Sequence, residues 1–346
     1  MSTENYSTDQ GNQIQIKRVA VIGGGSWATA LIKILTENGE TNINWWLRNT
    51  EDISHIRAFH SNPRYLSSVK LNSELVHPFE DIKEAVNGVD AILLAVPAAF
   101  IQEALSPLTA EDFKDKYVIS SIKGMIPEMN ILVTEYIETQ YNVPHKNVGV
   151  IGGPCHAEEV AMEKQAYLTL SSSNKKYALE LARIMRNRYI NTTTVKDLYG
   201  VEYCAVIKNI IAISCGIAHG LGYGDNFQAV LVSNSMKEIR KFLKEVYKVK
   251  RDLTASAYLG DLLVTTYSQF SRNRTFGNMI GRGYSVKAAQ LEMNMIAEGY
   301  YAVKAIHEIA KQHEGLEMPI TKAVYHILYD RISPIVEFRI LKEQLK

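Results

Sequence analysis

Cysteine is scarce in this chain of 346 residues, and its scarcity excludes one way of holding a fold together. The three present, Cys155, Cys204 and Cys215, form no C-x-x-C pair, and an odd, sparse set does not make a secreted disulfide framework. A reducing, cytoplasmic compartment is the expectation. Charge of one sign is missing too: 38 lysines and arginines stand against 37 acidic residues. Nucleic-acid and anionic membrane partners demand a clear basic excess, so the expected ligand is a small molecule. The nine histidines show no H-x-x-x-H or similar ligand spacing, and no metal is expected. The longest uncharged stretch, Asn209 to Tyr223, is broken by Gly216, Gly220 and Gly222 and falls short of the ~20 apolar residues of a membrane span. Met1 to Gln15 is polar, with no basic n-region and no apolar h-region. It reads as a disordered tail, drawn to residue 16, and not as a secretory signal.

What is present is enough for two cores. Hydrophobic residues make up 46% of the chain, and its length exceeds the ~250–300 residues at which a single core stops growing. From Arg18 to about Thr194, short apolar runs alternate with helical patterns, as βαβ units around a parallel sheet require. The runs are Val19–Ile22, Ile43–Leu47, Ala91–Val96, Tyr117–Ile122, Val148–Ile151 and Tyr167–Leu170, continuous enough to be buried on both faces. Helical patterns at Thr29–Glu37 and Ile82–Val86 lie between them. Past Gly200 the texture changes. Tyr203, Val206, Ile207, Ile210, Ile211 and Ser214 follow helical spacing, as do Gln228–Val246, Tyr300–His313 and Lys322–Asp330. The expected architecture is an α/β Rossmann-like domain over residues 17–195 and an all-α domain over 196–346.

The strongest local motif is Gly23-Gly24-Gly25-Ser26-Trp27-Ala28, directly after the first run and opening a helix. It matches the dinucleotide pattern G-x-G-x-x-G/A. Gly23 permits the tight turn, Gly25 lets backbone approach a pyrophosphate, and Ala28 lets helix and strand pack closely. The helix start then offers N–H groups and partial positive charge to the phosphates. A glycine turn that binds nothing is the bland alternative, and the strand–turn–helix setting argues against it. The second run ends in Arg48, with no acid before Glu51. An arginine there can accept a 2′-phosphate, so the pattern leans towards NADP, with NAD left open. Pro97 ends the Ala91–Val96 run at the edge where a doubly wound sheet places its ligand.

Three further segments put polar groups where a pure core would not. Lys123 ends Ser120-Ser121-Ile122-Lys123-Gly124, after a buried strand. Lys208-Asn209 sits inside an apolar helix, where an unpaired ammonium is costly. Asp261 and Thr265 share one helical face, and Ser271-Arg272-Asn273 follows, a forked cation beside an amide that suits a phosphate. Each has a plainer alternative: Lys208 snorkelling to the surface, Asp261 as an N-cap, Arg272 as a solvated charge.

Together these segments resemble a family. GGGSWATA, SIKG, Gly152-Gly153-Pro154-Cys155-His156-Ala157, VIKNIIAI, GDLLVT and SRNRTFG occur in the order found in the NAD(P)-dependent glycerol-3-phosphate dehydrogenases of the bacterial biosynthetic type. The resemblance spans residues 18 to 335. It implies NAD(H) or NADP(H) as cofactor, and reversible reduction of dihydroxyacetone phosphate to sn-glycerol 3-phosphate for glycerophospholipid synthesis. It also implies a homodimer. Position by position, it makes Lys208 the proton-transferring residue and places Lys123 near both cofactor and substrate. Gly153, Asp261, Thr265, Ser271, Arg272 and Asn273 fall on the substrate side, with Asn209, read from the apolar helix, placed beside them. Ser26, Trp27, Arg48, Ala157, Arg272 and Glu298 fall on the cofactor side, joining Gly23, Gly25 and Pro97, which the motif and the strand end already place there. One departure stands out. The related enzymes usually read S-G-P-S/T-F-A, so Cys155 replaces a hydroxyl on substrate, and a thiol is a weaker donor.

The chemistry implied needs few groups. Negative charge develops on a ketone oxygen, and a lysine whose pKa is lowered by burial or a neighbouring cation can donate a proton to it. Lys208 fits that role, with Lys123 as second cation and Asp261 as orienting partner. Two other readings compete. A β-hydroxyacid dehydrogenase shares the two-domain plan and a catalytic lysine, but not the SRNR and GDLLVT segments. A non-catalytic dinucleotide sensor has no need of Lys123, Lys208 and Asp261 together.

Overall fold

The apolar runs pair into one eight-stranded sheet in the structure, a computed structural model that describes residues 14–293 and 297–346. Its strands are β1 (Arg18–Ile22), β2 (Asn42–Trp46), β3 (Val76–Phe79), β4 (Ala91–Leu94), β5 (Tyr117–Ser120), β8 (Val148–Gly152), β9 (Ala166–Ser171) and β10 (Ile190–Val195). Two short strands, β6 (Met125–Ile126) and β7 (Ile131–Leu132), form a separate hairpin. The order across the sheet is β10-β9-β8-β5-β4-β1-β2-β3.

All neighbours run parallel except β8 and β9, which correct the expectation of a wholly parallel sheet. The cause is local. Between them the chain forms only the five-residue helix Ala157–Ala161, then turns back beside β8 without crossing a face of the sheet. The carboxyl ends of β1, β4, β5 and β8 therefore share one edge. The segments that follow them, at Gly23, Pro97, Lys123 and Gly153, gather there.

Alternation along the strands divides the core. Val19, Val21, Ala91, Leu93, Ile119 and Ile151 pack on one face with the first helix, Ser26–Thr36. Ala20, Ile22, Ile92, Leu94, Val118 and Val150 face the other way and merge with residues of the helical half, among them Val201, Val206 and Ile210. No linker separates the two halves on this side; one apolar core runs through both. Of the amino-terminal segment, residues 1–13 lie outside the described residues. Ile16 is buried, its N–H donating to Glu180 Oε1 at 3.1 Å.

Every described element after β10 is helical. The central helix, Leu198–Gly220, is the one described helix long and apolar enough to cross a membrane, and its apolar window is wholly buried inside the protein. An apolar surface on all sides is what a helix at the centre of a core requires. Gly216 and Gly220 on this helix meet Gly277 and Gly281 on the helix Arg272–Gly281. A Cβ on Gly277 would stand 2.1 Å from the Ile213 carbonyl oxygen, and one on Gly216 2.1 Å from that of Arg274. Backbone touches backbone here, so the spacing of the two helices is set by the absence of side chains. Gly277→Ala is expected to lose about 1–3 kcal/mol or more through overpacking. Gly224→Ala, with nothing within 4 Å of its Cβ, gives up only a helix N-cap preference and should cost less than about 1 kcal/mol. Urea unfolding of both variants checks the contrast.

Candidate active site

The site is assembled at the shared strand edge, beginning with the glycine turn. Gly23 has φ +134°, and a Cβ there would lie 2.6 Å from the Ala95 carbonyl oxygen, so no other residue fits. Trp45 Nε1 donates to the Gly23 carbonyl at 2.6 Å. Asn62 Nδ2 donates to the Gly24 carbonyl at 3.0 Å and to Thr29 Oγ1 at 2.9 Å, locking the turn to the helix behind it. Sequence reasoning missed Asn62, because a lone asparagine in a loop carries no motif. The helix Ser26–Thr36 starts without a side-chain cap, and a Cβ on Gly25 meets nothing within 4 Å. Ala28 is fully buried. Trp27 Nε1 is buried without a partner. An open, uncapped helix start, with an unpaired indole N–H beside it, fits the pyrophosphate of a dinucleotide.

The neighbouring strand ends lie along the same edge. Pro97 starts a short helical turn after β4, and the Ala98 N–H donates to Glu298 Oε1 at 3.1 Å. Glu298 belongs to the helical half, so its carboxylate ties the two halves together. Burial raises its pKa against the pull of the Ala98 N–H, Arg272 and Lys123. Lys123 follows β5, and its ammonium lies 5.5 Å from the centre of the Trp27 ring. Arg48 stands exposed just beyond β2, and Ala157 opens the short helix after β8.

Lys208 is the centre. It lies on the buried central helix and is 3% exposed, which removes the snorkelling alternative. Its ammonium donates to Asp261 Oδ1 in a tight ion pair. The other carboxylate oxygen of Asp261 has no hydrogen-bond partner and lies 3.7 Å from the Lys123 ammonium. Asp261 is the first residue of the helix Asp261–Tyr267, directly after a π-helical turn, Ser256–Gly260, and its carboxylate faces the lysines. It is not the helix cap. Thr265 shares that face, its Oγ1 donating to the Asp261 carbonyl at 2.7 Å. Asn209 Nδ2 donates to the Lys123 carbonyl at 2.8 Å, fixing the loop after β5 against the central helix.

Charge and burial compete at this centre. Burial lowers the Lys208 pKa, Asp261 opposes that, and Lys123 adds to it. Burial works against the Asp261 carboxylate, but Lys123 and Lys208 hold its pKa below the usual carboxylate value. The geometry thus provides a desolvated ammonium with a fixed direction beside a second cation. Such a group can stabilise a developing oxyanion and give it a proton.

The residues expected on the substrate side lie as follows. Cys155 is buried, and burial pushes its thiol up to about 12, so it stays a thiol. Gly153 packs against the backbone of β9. Ser271 caps the helix Arg272–Gly281, accepting from the Arg274 N–H at 3.3 Å. Asn273 Oδ1 accepts from the Gly299 N–H at 2.9 Å, and the exposed Arg272 acts on Glu298. Among the described residues, no cluster of histidine, cysteine or carboxylate groups is arranged to hold a metal.

A Rossmann-type sheet with a glycine turn, joined through one core to a helical half bearing a buried lysine–aspartate pair, defines a two-domain NAD(P)-dependent oxidoreductase. Residues 18–178 match the family model of the NAD-dependent glycerol-3-phosphate dehydrogenase N-terminus, and residues 197–338 match that of its C-terminus. The glycerol-3-phosphate dehydrogenase [NAD(P)+] of Staphylococcus carnosus is 35% identical over 318 residues, 92% of this chain and 95% of that one. That of Bacillus subtilis is 34% identical over 316 residues, 91% of each. The crystal structure of glycerol-3-phosphate dehydrogenase from Coxiella burnetii superposes with a TM-score of 0.87 at 30% identity, covering 95% of this chain and 99% of that one. The chain belongs to the NAD-dependent glycerol-3-phosphate dehydrogenase family.

The buried pair makes its own prediction. Asp261→Asn leaves Lys208 desolvated without its counter-charge and is expected to cost about 3–5 kcal/mol. Adding Lys208→Met should restore much of that loss, because the double variant buries no charge at that position. A thermodynamic cycle over the four proteins measures the coupling.

Proposed function

We propose that the protein catalyses reversible reduction of dihydroxyacetone phosphate to sn-glycerol 3-phosphate with NADH or NADPH, feeding glycerophospholipid synthesis. The observation that carries this reading is the Lys208–Asp261–Lys123 cluster at the strand edge, beside a glycine turn shaped for pyrophosphate. The nicotinamide, when bound, supplies hydride in one direction and takes it in the other. In our reading Lys208 gives its proton to the ketone oxygen as negative charge develops there, and takes it back in oxidation. Lys123 stabilises the same oxygen, and Asp261 orients Lys208. Gly153, Cys155, Asn209, Thr265, Ser271, Arg272 and Asn273 form the substrate side, with Arg272 and Asn273 holding the phosphate. Binding energy from that distal group positions the reacting carbon. Gly23, Gly25, Ser26, Trp27, Arg48, Pro97, Ala157 and Glu298 form the dinucleotide side.

The domain reading stays at residues 17–195 for the dinucleotide half and 196–346 for the catalytic half. A homodimer is the expected assembly on base rate. The cytoplasm is the expected compartment, since the described cysteines, Cys155, Cys204 and Cys215, are all unpaired.

The decisive assay follows oxidation of NADH and NADPH on adding dihydroxyacetone phosphate. Absence of oxidation by protein that binds either dinucleotide overturns the reading. Lys208→Ala should lower turnover by roughly 10²–10⁴-fold while dinucleotide binding persists. Near-normal turnover would remove Lys208 from the mechanism. The lowered Lys208 pKa also sets the pH dependence. Reduction needs the ammonium, so it should decline with rising pH well below the range of an ordinary lysine. Oxidation needs the neutral amine and should rise through the same interval. If Arg48 receives a 2′-phosphate, Arg48→Ala lowers kcat/KM for NADPH by roughly tenfold and leaves NADH little changed.

A further inference from the structure

The segments that carry Lys208 and Asp261 also meet at a second polar contact, which has no place in the scheme above. Asp197 stands at the start of the central helix, where an aspartate ordinarily accepts from the first free N–H groups of its own helix. Its side chain makes no such bond. It accepts instead from Arg251 Nε at 2.6 Å, from Arg251 Nη2 at 3.1 Å and from the Tyr258 hydroxyl at 2.7 Å. The side chains of Asp197 and Arg251 are each 7% exposed. Arg251 Nη2 also donates to the Tyr247 carbonyl at 3.0 Å, which fixes the guanidinium. A carboxylate gripped on both oxygens is held away from its own helix.

The first turn of the central helix is cut away to admit this arrangement. The Asp197 carboxylate lies over Gly200, and a Cβ there would stand 2.2 Å from Oδ2. Glycine inside a helix destabilises it relative to alanine, and the carboxylate above is what excludes the alanine. On the other side, buried Tyr258 is the middle residue of the π-helical turn Ser256–Gly260, a rare conformation often found at functional positions. The turn ends on Asp261, whose N–H donates to the carbonyls of Ser256 and Tyr258. The backbone that presents the Asp261 carboxylate is thus the backbone that Tyr258 anchors.

Gly200, Cys204 and Lys208 are spaced four apart and lie along one face of the central helix. That face meets the 251–261 segment twice, at Asp197–Tyr258 and at Lys208–Asp261. We propose that Asp197 and Tyr258 are positioning residues, whose hydrogen bond holds the π-helical turn so that Asp261 stays on Lys208. The inference rests on the reaction proposed above, in which Asp261 orients the proton-giving ammonium.

The test is Tyr258→Phe, which removes one hydroxyl and leaves the Asp197–Arg251 pair in place. Asp261 raises the Lys208 pKa against burial, so an ammonium held less firmly by it loses its proton at lower pH. The decline of kcat for reduction with rising pH should therefore begin roughly half to one pH unit earlier. Above that limb kcat should fall by roughly three- to tenfold, with KM for the dinucleotide unmoved. Gly200→Ala displaces the Asp197 carboxylate without touching Tyr258 and should move the limb the same way. It carries the test if the phenylalanine variant does not fold. Thr321→Val removes a comparable hydroxyl from another buried carboxylate, Glu238, and should lower stability while leaving the limb in place. A wild-type pH profile in Tyr258→Phe or Gly200→Ala overturns the inference and leaves the reaction standing. An equal shift in Thr321→Val does the same, by making general loss of stability the cause. If the wild type reduces dihydroxyacetone phosphate with neither dinucleotide, the reaction falls and the tether is judged in urea. Tyr258→Phe should then change the unfolding constant of the wild type roughly three- to tenfold more than that of the Lys208→Met, Asp261→Asn double variant. Equal changes in the two overturn the tether as well.

Discussion

The structure depends on keeping one ammonium out of water. Lys208 sits inside the long, apolar, buried central helix, and the only described counter-charge in direct contact with it is Asp261. Desolvating a lysine without a partner costs several kcal/mol and ends in loss of its proton. Pairing it with a carboxylate restores the charge, and a second ammonium on that carboxylate weakens the pairing. Lys123 does this from the loop after β5, 3.7 Å from Asp261 Oδ2. The result is an ammonium held in place yet readier to give up its proton than one in water.

Holding three charges in that balance requires the elements bearing them to keep their distances. The central helix carries Lys208, the Asp261–Tyr267 helix carries its partner, and the sheet carries Lys123. Two contacts fix this triangle. The glycine-lined approach of the central helix to Arg272–Gly281 allows no side chain between the backbones. The continuous core beneath β1, β4 and β5 joins sheet and helices without a hinge of exposed chain. Several polar side chains then clamp loops by their backbones: Asn209 on Lys123, Asn273 on Gly299, Glu298 on Ala98. Side chains read from sequence as candidate ligands also serve as tethers, so binding geometry and fold stability are coupled at the same residues.

Much of this was legible from residue order. The inner strands appear as short, largely apolar runs, and all six such runs lie in the sheet. The sheet's outer strands, β3 and β10, did not stand out. Val-His-Pro-Phe contains a proline, and Ile-Asn-Thr-Thr-Thr-Val alternates, because an edge strand is covered on fewer sides and needs less apolar surface. The reversal at β9 was also hidden, since pairing direction follows from the length and path of a connection and not from strand composition. Lys208 and Asp261 were legible singly, as charges at buried spacing. Their partnership across 53 residues was carried only by the family resemblance. Asn62 and the Glu298 tether were invisible as interactions, because each reaches a backbone atom far along the chain, which leaves no mark in the sequence.

The lysine–aspartate pair cannot change one member without stranding the other, since each neutralises a buried charge. The constraint extends to the groups around it. Burial and the two lysines push the His156 imidazole down to about 4, so it adds no further cation beside Lys208 and Lys123. Burial pushes the Cys155 thiol up to about 12, so it adds no anion beside Asp261. The desolvation that readies Lys208 to give up its proton thus keeps these two neighbours uncharged.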